Sequence, residues 1–232
     1  MAHFERQIQQ LRHAWKKHPP TIVPKPTKQY LLNLEKQDPD HPYVKQAADP
    51  IFAMIHSTER MCCITRKRYP SDFLVRFELG LDPKTSVAWA YPTVDHTNRH
   101  DRKGHGYYAL LDKSILSIVE KKPRKMFQGQ GQYAEGMTEH VQQLLMTMLL
   151  EDKKKFTPPM ALGDYQCVIL MKPDIPNLPA APCYEVDGPA WKPLHDCLQH
   201  MYPAHDWLGV PKSITTVDLA IRLWRFNRLV QS

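Results

Sequence analysis

The sequence lacks the motifs that announce most enzyme classes. It contains no G-x-x-x-x-G-K-[ST], no G-x-G-x-x-G and no G-x-S-x-G, so neither nucleotide binding by a glycine loop nor serine hydrolysis has support. Its five cysteines, Cys62, Cys63, Cys167, Cys183 and Cys197, are odd in number and include no C-x-x-C pair. That pattern signals neither a zinc ribbon nor a disulfide framework, and it fits reduced structural thiols in an intracellular compartment. No run approaches the roughly 20 apolar residues of a membrane span, and no signal-peptide core is visible, so no transmembrane segment is expected. Glycine is scarce, nine residues against 21 prolines. Such a balance points to many restricted loops and polyproline stretches joining short elements.

What is present is positive charge. The 232 residues carry a net charge of +7 with a pI near 9.1, which favours a polyanionic partner such as nucleic acid or an acidic membrane surface. Hydrophobic residues make up 42% and charged residues 24%, ordinary for a globular chain. At this length a fold should bury roughly 70% of its unfolded surface without metals or disulfides. The first 28 residues hold Arg6, Arg12, Lys16, Lys17, Lys25 and Lys28 against the single acid Glu5, and Phe4, Ile8, Leu11 and Trp15 share one helical face. Residues 1–28 therefore read as a basic amphipathic helix followed by a proline-rich linker. That helix serves either as a mitochondrial import signal or as a docking element.

Residues 29–171 read as an α+β core. Tyr30–Glu35 and Pro50–Ser57 are short helix candidates, the second capped by Asp49. Phe73, Val75, Phe77 and Leu79 alternate with Leu74, Arg76 and Glu78, the two-residue period of a half-buried strand. With Met61–Thr65, Val87–Tyr91 and Tyr107–Leu111 it is expected to form an antiparallel meander of about four to five strands. Helices over 112–121, 138–152 and 215–230 are expected to pack against it, and Tyr165–Met171 reads as a buried strand. Residues 172–211 form a proline-rich acidic wrap, with five acids against two lysines for a net of −3. Its prolines at 173, 176, 179 and 182 suit an extended segment lying on the protein's own surface, or a ligand for a proline-binding groove. Residues 212–232 read as a docked helix, with Thr215 and Asp218 resembling a capping box. Asp218, Arg222 and Arg225 would form a polar stripe opposite Ile221 and Trp224.

The densest titratable group is the DHTNRHDRKGHG stretch with Asp95, His96, His100, Asp101 and His105. Histidines and carboxylates in that proximity can ligate a metal or act as acid and base. Their spacing matches no metal motif, however, and Arg99, Arg102 and Lys103 would repel a cation. The cationic clusters are the stronger signal. Arg66, Lys67 and Arg68 lie at an expected hairpin tip beside Tyr69; Arg99, Arg102 and Lys103 lie between the third and fourth strands; Lys121, Lys122, Arg124 and Lys125 join two helices. In a meander the first and third loops emerge at one end and can converge. Tyr107, Tyr108, Phe127 and Tyr133 interleave with the cations, and cations for phosphates with rings for unstacked bases are what single-stranded RNA recognition requires.

The function expected on these grounds is non-enzymatic: an RNA-leaning, nucleic-acid-binding subunit or assembly factor of a ribonucleoprotein, with protein partners in a larger complex. The mitochondrial ribosome or its maturation is the expected setting. The mitochondrial matrix is the expected compartment, with nucleus or cytoplasm as alternatives. No cofactor and no resident metal are expected. One alternative is a protein-interaction subunit without nucleic-acid contact. Another is a metal-dependent nuclease or hydrolase using the His96–His105 loop through His96, Asp101 and His105.

Overall fold

The computed structural model describes residues 26–81, 84, 86–94, 106–121, 132, 135–160, 164–173, 175 and 178–232. The expected N-terminal helix lies outside the described residues, and so do the 95–105 loop and residues 122–131. Among the described residues the chain is mixed α and β, with seven α-helices and three small sheets.

Three short helices come first. Helix α1 (Lys28–Gln37) starts at Thr27, whose hydroxyl accepts the Tyr30 amide at 3.2 Å. Helices α2 (Pro42–Ala47) and α3 (Pro50–Ile55) both open on proline, whose missing N–H would have had no partner in a first turn anyway. Asp49 caps α3, its carboxylate accepting the amides of Ile51 at 2.8 Å and Phe52 at 3.1 Å. The chain then enters a hairpin of β1 (Glu59–Met61) and β2 (Arg68–Pro70). Its base is tied off by the Ser71 amide on the Thr58 carbonyl and the Asp72 amide on the Ser57 hydroxyl.

The second sheet corrects the expected meander. Strand β3 (Leu74–Leu81) is its centre, with β4 (Ala88–Thr93) and β5 (Tyr107–Leu110) antiparallel on either side. The first half of β3, Leu74–Phe77, pairs with β5, while Arg76–Leu81 pairs with β4. Met61–Thr65 is not a strand of this sheet, because RKRYP folds back on β1 and closes its own ribbon. What remains is an isolated parallel bridge from Cys62 to Tyr108 and a Cys63 amide bond to the Tyr108 carbonyl at 2.8 Å. Those two contacts dock the hairpin on the free edge of β5. The alternation in β3 is also only half right. Leu74, Val75, Arg76 and Phe77 are all buried, whereas Leu79 and Leu81 are exposed, so the strand leaves the interior midway along its length.

The third sheet has β6 (Tyr165–Leu170) at its centre, β7 (Cys183–Glu185) parallel to it and β8 (Trp207–Pro211) antiparallel. Every residue of β6 is buried. Cys167 and Ile169 belong to the main core, while Tyr165, Val168 and Leu170 form a second cluster beneath Ile175, Leu178 and Ala181 of the proline-rich segment. That segment therefore lies on its own sheet, which is why β6 reads as a continuous apolar run rather than an alternating one.

One apolar cluster joins the two larger sheets. It takes Val75 and Phe77 from β3, Ile169 from β6 and Val210 from β8. Helices α4 (Lys113–Lys121), α5 (Met137–Glu151), α6 (Lys192–Met201) and α7 (Val217–Gln231) add Leu116, Leu145, Leu198 and Leu223. At its N-terminus α7 departs from the expected capping box. Its cap residue is Thr216, whose hydroxyl donates backward to the Pro211 and Ser213 carbonyls, while Thr215 pairs with Ser213. The expected polar stripe is also overturned. Arg225 is 2% exposed and lies inside the fold, donating to the carbonyls of Val94 at 2.6 Å and Leu74 at 2.9 Å. Trp224 is half-buried at the surface instead. No helix among the described residues is long and apolar enough to cross a membrane.

Candidate nucleic-acid interface

The β1–β2 hairpin turns through Cys62–Lys67. The Cys62 amide donates to the Lys67 carbonyl at 2.9 Å, and the Arg66 amide donates to the Cys62 carbonyl, also at 2.9 Å. Burial of Cys62 and Cys63 under the β5 edge anchors the turn. This leaves Arg66, Lys67 and Arg68 exposed at the tip. None of the three forms an ion pair with a described residue, whereas Lys28, Lys45, Lys172 and Lys212 each hold a carboxylate within 3.4 Å.

Arg66 has φ of 62°, in the left-handed region. For an L-residue that conformation costs about 1 kcal/mol, and glycine relieves the penalty. A cation thus stands where a glycine would be more comfortable. Arg66→Gly is expected to raise stability by about 0.5 kcal/mol, after the extra chain entropy that glycine brings to the unfolded state, while weakening any binding to a polyanion. Urea midpoints of the two proteins measure the first effect; a destabilised glycine variant would refute it.

Directly under the hairpin is a cleft of about 560 Å³. It is lined by Tyr69 of the hairpin, by Phe73, by Leu110 and Leu111 at the end of β5, and by Trp224, Asn227, Arg228 and Gln231 on α7. These four α7 residues recur at i, i+3, i+4 and i+7, one face of the last two turns. The Trp224 ring meets Phe73 edge to face, centroids 5.1 Å apart, an arrangement that fixes the indole plane. Arg228 approaches Asp112 at 3.6 Å. The Asp112 carboxyl is held below its usual range, chiefly by the Ser114 hydroxyl and backbone amide, with Arg228 adding to it, so it is ionised at neutral pH.

Of the aromatic residues expected near the cations, Tyr69 alone among the described ones lines this cleft. The Tyr108 ring is covered by the Arg60 guanidinium, 5.7 Å from its centroid, and Tyr107 packs on the main core. Lys121 is the last residue of α4. Arg99, Arg102, Lys103, Lys122, Arg124, Lys125, Phe127 and Tyr133 lie outside the described residues. So does the His96–His105 loop with Asp95, His100 and Asp101. Reading the sequence missed Arg60, Trp224, Asn227, Arg228 and Gln231. The four-residue stripe on α7 was visible in the spacing, but its mixed polar and aromatic character resembles an ordinary surface face.

A second depression lies at the other sheet, between β7 and α6, where Glu185, Asp187 and His195 face a space of about 220 Å³. Asp196 is held low by Lys192 first and then by His195. Among the described residues no group of three His, Cys, Asp or Glu side chains is placed to hold a metal ion.

The fold and the cleft define a mixed α and β protein with a cation-tipped hairpin above an aromatic groove. Comparison with protein-family models, with curated proteins and with solved structures found no match.

Proposed function

We propose that the protein is a non-enzymatic RNA-binding subunit or assembly factor of a ribonucleoprotein, working with protein partners, and that the hairpin tip is its phosphate contact. The mitochondrial ribosome or its maturation remains the proposed setting, on the strength of the basic N-terminal sequence. The observation that carries the reading is that three cations, none paired with a described carboxylate, directly precede Tyr69, the hairpin residue that lines an aromatic cleft. Exposed cations supply sequence-independent affinity through counterion release, and rings supply stacking for unpaired bases.

The test is binding of labelled single-stranded RNA, duplex RNA and duplex DNA across a range of salt, with wild type beside Arg66→Ala/Lys67→Ala/Arg68→Ala. Log affinity is expected to fall linearly with log salt for single-stranded RNA. In the triple variant the slope should be shallower by about two, at roughly 0.7 for each phosphate no longer neutralised. Equal slopes would remove the tip from the interface, and no binding at low salt would end the nucleic-acid reading.

One observation favours a second reading, a protein-interaction subunit. Ile51 and Ile55 of α3 are 57% and 55% exposed, with Tyr43 of α2 nearby in sequence at 52%. Under that reading, charge reversal at 66, 67 and 68 leaves complex assembly intact.

A further inference from the structure

We infer that the cleft under the hairpin is a nucleobase subsite, taking one unpaired base of an RNA single strand whose phosphates lie on Arg66, Lys67 and Arg68. This rests on the RNA reading above and adds to it how the strand is held.

Four features of the cleft select that occupant. Its volume of about 560 Å³ falls in the roughly 300–1,000 Å³ range of sites for small ligands. Its rings are planar surfaces at fixed orientation, the Trp224 indole being held by its edge-to-face contact with Phe73. Asn227 and Gln231 of α7 are among its lining residues, and their side-chain amides each carry donors and an acceptor, which suits the mixed edge of a base. The fourth feature is Asp112, 3.6 Å from Arg228: with the arginine already facing a carboxylate, a phosphate or carboxylate ligand gains little there. The anionic part of the occupant therefore stays outside, on the hairpin tip. A neutral, flat heteroaromatic group tethered to a phosphate chain satisfies all four conditions.

The geometry also excludes duplex. A base must leave its stack to enter a walled cleft, and an unpaired strand provides such bases at least cost. The split between tip and cleft makes the two parts separable: the tip sets the salt dependence, and the cleft sets a salt-independent increment that requires the base itself.

The experiment compares a single-stranded RNA oligomer with the same oligomer carrying abasic positions, against wild type, Trp224→Leu and Tyr69→Ala. Wild type is expected to bind the abasic strand about 5- to 150-fold more weakly, the range for loss of one stacked base. Both variants should bind intact RNA more weakly by a similar factor, bind abasic RNA as wild type does, and keep the wild-type salt slope. RNA should also quench tryptophan fluorescence in wild type and lose most of that effect in Trp224→Leu. Tyr69→Ala guards against an unfolded Trp224→Leu, since Tyr69 lines the cleft from the hairpin and not from α7. Equal binding of intact and abasic strands by wild type, with the steep salt slope retained, overturns the base subsite and leaves the RNA reading standing. Absence of RNA binding at low salt overturns both.

Discussion

Arg225→Met should lower the stability of the protein by about 3 kcal/mol, read as a fall in the urea midpoint at constant m-value. The arginine fork bonds two backbone carbonyls, Leu74 at the start of β3 and Val94 just after β4. Methionine matches much of its length but donates nothing. Each carbonyl would then be buried without this partner, at about 1–3 kcal/mol apiece. Part of that cost is offset because a guanidinium no longer has to be desolvated. Lysine is expected to recover less than half, since a single ammonium cannot span the two acceptors that the planar fork reaches. A methionine variant with a wild-type midpoint would show that the fork is dispensable. The effect matters for function because α7 carries Arg225 inside and the cleft residues Trp224 and Arg228 outside. The buried fork sets the rotation of that helix.

Gly209→Ala has a comparable expected effect, about 2–3 kcal/mol, through a collision rather than a missing bond. A β-carbon at Gly209 would sit 2.0 Å and 2.1 Å from the Cε1 and Cδ1 atoms of Tyr165. Neither side can yield easily. Gly209 exchanges both backbone hydrogen bonds with Thr157, at 2.8 Å and 2.9 Å. The Tyr165 ring is pinned by the Met160 amide on its hydroxyl at 2.7 Å and by edge contact with Trp207 at 5.6 Å. Adding Tyr165→Leu to Gly209→Ala should cost less than the sum of the two single effects, a coupling that a double-mutant cycle measures. Additive effects, or an alanine variant within about 0.5 kcal/mol of wild type, would mean that the sheet relaxes around the new atom.

Several local elements were legible in the residues themselves. Asp49 before Pro50 announced the α3 cap, and the apolar run YQCVIL announced a fully buried strand, because both signals are local and depend on little beyond neighbouring residues. The cations of the hairpin tip could be placed for the same reason: RKRYP is a poor continuation of an apolar strand. Pairing was not legible. The meander failed because strand order depends on which edge each segment finds, and β5 joined β3 rather than β4. Arg225 was misread because a helical wheel assigns a charged residue to water, and nothing in its own helix reveals two carbonyls waiting on the β-sheet.

The sequence by itself determined the mixed α and β character, the positive charge, the exposed cationic turn and the absence from the described helices of any membrane-spanning stretch. These follow from composition and from short-range periodicity, which act over a few residues. The tertiary structure alone decided that Tyr69, Phe73 and Trp224 meet around one cleft. They come from a hairpin, a 3-10 turn and a helix some 150 residues further along the chain, and what unites them is burial of a shared core and one arginine fork, contacts that no local pattern records.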